Sequence, residues 1–249
     1  MTNASVNVNL KELTLREKIQ LVREGLHWDE FLVDPDFHIR KEVAKQGYRL
    51  DVLVSDRSKK VRKEVAKKGY GFDVLVHDKE PEIRELVAKK GYGFDVLIHD
   101  ENIEVLICLA KKGYGLDILV NHDSWRVRAT VAGQGYGLDV LINDKEEWVR
   151  QAVAGQGYGL DILVHDEDEL VRQQVAKHGY GLDILVHDED QLVRYEVAKH
   201  GYGFDILEND SSWLIREELA LRGHNFNKML NDSDWDVRYA AIYGRRARG

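Results

Sequence analysis

The residues with chemical potential recur on one spacing. Arginine returns every 22 residues from Arg40 to Arg238, and only Leu106 interrupts the series. A row of guanidinium groups would grip phosphates, or would pair with aspartates that repeat in the same register. Every unit carries both signs at fixed positions, so the spacing argues for bidentate Arg–Asp pairing that sets the repeat distance. Tyrosine recurs from Tyr48 to Tyr202, a row that would stack bases or pack between units with its hydroxyl at the rim. Its unbroken repetition favours packing. Histidines recur as His77, His99, His165 and His187, and as His178 and His200. Equivalent atoms of neighbouring packed helices lie about 8–10 Å apart, whereas zinc ligands sit about 2 Å from one ion. Equivalent histidines therefore cannot share a metal. Carboxylate runs such as Asp166–Glu169 recur as solvated caps and leave no privileged acid/base pair. No phosphate-binding loop, Ser-His-Asp set or zincin motif occurs. Cys108 is the single cysteine, which excludes a disulfide framework and a multi-cysteine metal centre. No enzymatic activity, cofactor or metal is expected.

The spacing itself dictates the architecture. Glycine stands at Gly25 and at every 22nd residue to Gly223, making ten units over residues 25–244. A period of that size means a solenoid, propeller or array, and so complete an array removes a two-domain reading. Counting the glycine as position 1, positions 12–21 read as a helix. Position 12 is Asp36, Ser58, Asn102, Ser124, Asp168, Asp190, Ser212 or Asp234, all N-cap residues, with Glu80 and Glu146 elsewhere. Pro81 occupies the favoured first helical site. Val or Ile at 15, Val or Leu at 19 and Ala at 20 form a narrow buried stripe. The next glycine suits a left-handed C-cap. Positions 4–8, Leu/Phe-Asp-Ile/Val-Leu-Val, place apolar residues at 4, 7 and 8. Aspartate at position 5 in nine of ten units suits a helix N-terminus, so a short α or 3₁₀ turn is expected rather than a strand.

The run D-x-D-x-x-V-R-x-x-V-A followed by L-x-x-L resembles the leucine-rich repeat variant (LRV) family, within the wider HEAT-like class. The resemblance spans about residues 25–244. It implies an all-α fold, a right-handed α-solenoid of ten 22-residue repeats, each a longer helix plus a short α or 3₁₀ helix. The 22-residue unit is shorter than the family norm, and Gly-Tyr-Gly stands where the family usually has proline. Some family members hold an iron–sulfur cluster on cysteines before the repeats; the lone Cys108 does not carry that over.

Composition bounds the partners. The chain of 249 residues is 43% hydrophobic and 32% charged, with a net charge of −8. That disfavours a strongly basic nucleic-acid or membrane-surface protein. No apolar stretch approaches the roughly 18 residues of a membrane span, and the N-terminus lacks a secretory signal. A cytoplasmic setting is expected. Residues 1–24 read as an N-terminal capping segment, with Thr14 and Glu17 as a capping box. Residues 245–249 read as a basic C-terminal tail. Departures from consensus mark the candidate partner contacts. Leu106, Ile107 and Cys108 form the largest local apolar surplus, Trp125 and Trp148 follow in the next two units, and Lys89, Lys90, Lys111 and Lys112 lie alongside. A scaffold for protein or peptide binding is the leading reading. Its rival is a HEAT-like nucleic-acid binder using the lysine-rich edge of the N-terminal half.

Overall fold

The computed structural model describes residues 9–244, which form 21 helices and no strand. The basic tail at 245–249 lies outside the described residues. The chain divides into two compact units, Met1–Gly115 and Leu116–Gly249; the 22-residue period runs through the boundary unchanged. The first unit holds α1 (Leu15–Arg23), α2 (Trp28–Phe31), α3 (Phe37–Gln46), α4 (Leu50–Leu53), α5 (Lys59–Lys67), α6 (Phe72–Leu75), α7 (Pro81–Lys89), α8 (Phe94–Leu97) and α9 (Ile103–Lys111). The second holds α10 (Leu116–Leu119), α11 (Trp125–Gly133), α12 (Leu138–Leu141), α13 (Glu147–Gly155), α14 (Leu160–Leu163), α15 (Glu169–Lys177), α16 (Leu182–Leu185), α17 (Gln191–Lys199), α18 (Phe204–Leu207), α19 (Trp213–Leu221), α20 (Phe226–Met229) and α21 (Trp235–Tyr243). In each unit the long helices stack in sequence, α1 on α3 and onward, and α11 on α13 and onward. This is an all-α solenoid of repeats.

Each long helix starts at position 13. Asp36, Asn102, Asp168, Asp190 and Asp234 accept a hydrogen bond from the backbone two residues on. Ser58, Ser124 and Ser212, expected to cap in the same way, do not. There the turn is closed from position 10, whose side chain accepts the N–H of position 12, as Asp56 does from Ser58 at 2.7 Å. The core is the expected stripe, with Val or Ile at 15 throughout, and Val or Leu at 19 and alanine at 20 as far as Leu219 and Ala220, all buried, joined by position 7 of each short helix, which is Phe31 in α2, Met229 in α20 and leucine between them. Burying one such leucine contributes about 1.5–3 kcal/mol.

The second glycine of Gly-Tyr-Gly has a cause that the period alone did not reveal. Position 3 precedes the short helix in the left-handed region. Gly93 has φ 72°, and a Cβ there would meet Val76 Cγ2 at 2.4 Å. Position 8 of one repeat thus presses on position 3 of the next. His27, Arg49 and Asn225 hold the same left-handed turn without being glycine. At the last of these the neighbour has changed too. Glu208 replaces the aliphatic residue and accepts from Lys228 Nζ and Asn225 Nδ2, both at 2.8 Å, with His224 Nε2 at 3.0 Å. The Lys228 bond foremost, then Asn225 and His224, hold its carboxyl down at about 2 against the cost of burial. These contacts secure the degenerate tenth repeat.

The capping box at α1 forms, with Thr14 N donating to Glu17 at 2.8 Å and Glu17 N donating to Thr14 Oγ1 at 3.3 Å. More than a cap, α1 is a divergent repeat. Lys18 stands 22 residues before Arg40 and reaches Asp34 at 2.8 Å, as the arginines reach their aspartates.

Candidate functional site

The arginine row is a ladder built into each unit. Arg40, Arg62 and Arg84 in the first unit pair with Asp56, Asp78 and Asp100; their Nε to Oδ2 distances are 2.7, 2.6 and 2.6 Å. Arg128, Arg150, Arg172, Arg194 and Arg216 do the same in the second, with Asp144, Asp166, Asp188, Asp210 and Asp232. The acceptor is the position-10 aspartate of the following repeat. The position-5 aspartates, which repeat in the same register, are exposed. Each of these arginines also donates Nη1 to the carbonyl of its own position 10, as Arg62 does to Asp56 O at 2.8 Å. Its donors are therefore engaged by protein, which leaves the guanidinium poorly placed for a phosphate. At Asp78, burial favours the neutral acid, but bonds from Arg62 and the Glu80 N–H outweigh it and hold the carboxyl below its usual range. The Arg62 guanidinium is raised, chiefly by the Asp78 bond.

The ladder skips one rung in sequence. Leu106 stands at an arginine position, and His122 stands at the matching aspartate position. His122 retains half of the aspartate's work, since its Nδ1 accepts the Ser124 N–H at 3.0 Å.

The expected apolar patch at 106–108 is not a surface. Leu106, Ile107 and Cys108 are 3%, 7% and 7% exposed. In place of an arginine and polar neighbours, three apolar side chains fill the interior. Ile107 and Cys108 still form the floor of an open hollow of about 330 Å³ between α7 and α9, with Lys89, Lys111, Lys112, Glu85 and Glu104 around it. Lys89 is bound to Glu85 at 2.6 Å. Lys90, the C-cap of α7, does not line the hollow. Burial raises the Cys108 thiol above its ordinary value, which makes it a weak nucleophile. Elsewhere along this edge Lys45 and Lys67 are tied to Glu42 and Glu64.

Trp125 and Trp148 stack across α11 and α13, their ring centres 6.1 Å apart at 26°. They are 38% and 43% exposed, so each joins helix packing to an open aromatic face. Trp125→Ala should therefore lower stability by about 1–2 kcal/mol, short of the ~3–5 kcal/mol of a fully buried ring. Urea denaturation followed by circular dichroism measures this; a loss in the upper range would make the pair part of the core.

A second surface went unread in the sequence. Position 6 of the short helices, Val or Ile in the eight repeats from Val52 to Ile206, projects outward. Val74 and Val96 in the first unit, and Ile118, Val140, Ile162, Ile184 and Ile206 in the second, are all exposed. The position-5 carboxylates flank them, and the position-2 tyrosines lie alongside. Tyr92 and Tyr114 pack on Phe72 and Phe94; Tyr48 and Tyr114 donate their hydroxyls to Asp29 and Asp95. The signal was present in the constant β-branched residue at 6, which the 4, 7, 8 pattern leaves outside the core. A further hollow of about 560 Å³ lies beside α1 and α2, lined mainly by Leu10, Phe31, Val33 and Pro35.

Among the described residues, no three His, Cys, Asp or Glu side chains gather as metal ligands, and no helix is long and apolar enough to cross a membrane. No protein-family model and no curated protein matches the chain.

Proposed function

We propose that the protein is a non-enzymatic scaffold that binds a protein or peptide, in a cytoplasmic setting and on an LRV-like repeat. The observation that carries this reading is the row of exposed position-6 aliphatics in the second unit. Ile118, Val140, Ile162, Ile184 and Ile206 each keep 43–58% of their surface open, though the core is complete without them. A single exposed aliphatic is ordinary, whereas an extended apolar surface marks an interaction site, and this row recurs in every repeat of the unit from Ile118 to Ile206. Neighbouring packed helices lie about 8–10 Å apart, a pitch suited to an extended or helical segment. The flanking carboxylates favour a partner with basic groups and oppose a phosphate backbone. The Trp125–Trp148 stack supplies aromatic anchors of the kind that dominate interfaces.

The test compares the wild-type chain with Ile162→Glu/Ile184→Glu and with Trp148→Ala in capture from the native host. A partner protein held by the wild type and weakened at least tenfold by the double substitution, at unchanged melting temperature, supports the reading. Retention of nucleic acid with steep salt dependence, unaffected by these changes, overturns it in favour of the lysine edge.

A further inference from the structure

We propose that the outer face of α21 is a self-association surface that pairs with the same face of a second copy of this chain.

The interior repeats define which helix positions look toward the next repeat. Position 13 does: Lys59 reaches Glu80 and Glu82, and Trp125 stacks on Trp148. Position 16 does, through the arginine ladder. Position 17 does, since Glu217 feels Asp236. Position 21 does, as Arg23 reaches Glu42 at 2.8 Å. Position 20 is alanine in all nine repeats from Ala44 to Ala220, buried against its neighbours.

On α21 those positions are Trp235, Arg238, Tyr239, Ile242 and Tyr243. No further helix follows α21 among the described residues. Trp235 is 61% exposed, and Tyr239, Ile242 and Tyr243 are each about half exposed. Trp235, Tyr239 and Tyr243 form one continuous ring stack, with centres 5.0 and 4.6 Å apart. Ile242 takes the place of the buried alanine, while Ala240 and Ala241 face inward and are buried. The larger side chains have thus moved to the outside. Arg238 donates to the Asp232 and Ser233 carbonyls but meets no aspartate as the preceding arginines do.

A repeat whose outer helix face meets water stays soluble when that face is polar, and α1 has such a face. The positions that receive those contacts from a preceding repeat, 14 as at Glu82 and 18 as at Glu42, are Arg16 and Gln20 on α1, and both are exposed. The contrast selects the occupant. Head-to-tail stacking would set the aromatic face of α21 on a charged one. Pairing α21 with its own copy buries apolar against apolar and closes as a two-fold dimer. Arg238 would then lie over the partner's tyrosine rings. Four side chains of about 150–250 Å² each, half open, give roughly 800 Å² buried over both copies. That lies below the ~1,200 Å² of a standard interface, so the dimer is concentration-dependent.

Analytical ultracentrifugation of the full chain tests this. The mass should rise with concentration from the 28.7 kDa of one chain toward twice that value and stop. Trp235→Glu/Tyr239→Glu should remain monomeric over the same range, with helix content and melting temperature unchanged because both residues are exposed. Arg16→Ala/Gln20→Ala on α1 should dimerise like the wild type. The proposal is overturned if the wild type stays monomeric throughout, if its mass climbs beyond two copies, if the α21 variant still dimerises, or if the α1 variant does not.

Discussion

Arg62→Ala lowers the stability of the protein by about 3–5 kcal/mol at neutral pH, the range for breaking a buried ion pair. The loss comes from what is left behind. The Asp78 side chain is 3% exposed, and Arg62 supplies two of its bonds, from Nε at 2.6 Å and Nη2 at 2.8 Å. Without the guanidinium, a carboxylate stays buried with only the Glu80 N–H at 2.9 Å. The Asp56 carbonyl also loses its Nη1 donor. Arg62→Met with Asp78→Asn should recover much of the loss, because asparagine accepts the Glu80 N–H without a charge.

The pH dependence has a definite sign. In the wild type Asp78 titrates below its unfolded value of about 3.9: burial pushes upward, but the Arg62 and Glu80 bonds win. Its stabilisation is complete above that value and disappears as pH falls through the folded one. Asp56, Asp144 and Asp210 share the balance and the direction. The ladder should therefore weaken cooperatively in acid. In Arg62→Ala burial acts on Asp78 largely unopposed, so protonation relieves the variant. The stability gap between variant and wild type should begin to close as pH falls through the variant's raised Asp78 value, above about pH 4, and close further below it as the wild type loses its own stabilisation. Urea denaturation at neutral and acid pH measures both effects. A gap under about 1 kcal/mol at neutral pH would reduce the ladder to ordinary surface pairing.

Gly93→Ala and Gly91→Ala separate two demands made of one loop. Both glycines have positive φ, 72° and 83°, so alanine is strained at either site by about 1–3 kcal/mol. At Gly91 a Cβ meets nothing within 4 Å, and strain is the whole cost. At Gly93 it meets Val76 Cγ2 at 2.4 Å and Cβ at 3.3 Å. Val76 is buried and stiff at χ1, so the clash is not relieved by a rotamer change. Overpacking adds about 1–3 kcal/mol, for about 2–6 kcal/mol in all. Thermal denaturation of the two variants gives the difference directly. The Gly93→Ala/Val76→Ala pair tests the cause: the Cγ2 clash is removed, leaving only the Cβ contact at 3.3 Å, but a cavity appears, so coupling between the sites should be large. Equal losses at Gly91 and Gly93 would remove the contact from the explanation.

The helical solenoid, the long-helix boundaries, the position-15, 19 and 20 core and the structural use of arginine were legible in residue types and period. Each depends on local rules: a cap, a C-terminal glycine, an i, i+4 stripe, and charges that repeat in register. The register of the ladder was not, because residues 16 apart in sequence meet only after two repeats stack. That choice between aspartates at 5 and 10 belongs to the packing. The apolar run at 106–108 reads as surface on composition and is interior in the fold, since exposure depends on which side of a helix a neighbour covers. The open position-6 row is not legible for the converse reason: a β-branched residue carries no mark of which side faces water. Sequence by itself determined the repeat, its helices and the pairing chemistry of its arginines, because these follow from spacing along one chain. Only the tertiary structure decided which aspartate receives each arginine, why position 3 must be small, and which apolar faces remain open, because those are set by neighbours that sequence distance does not place.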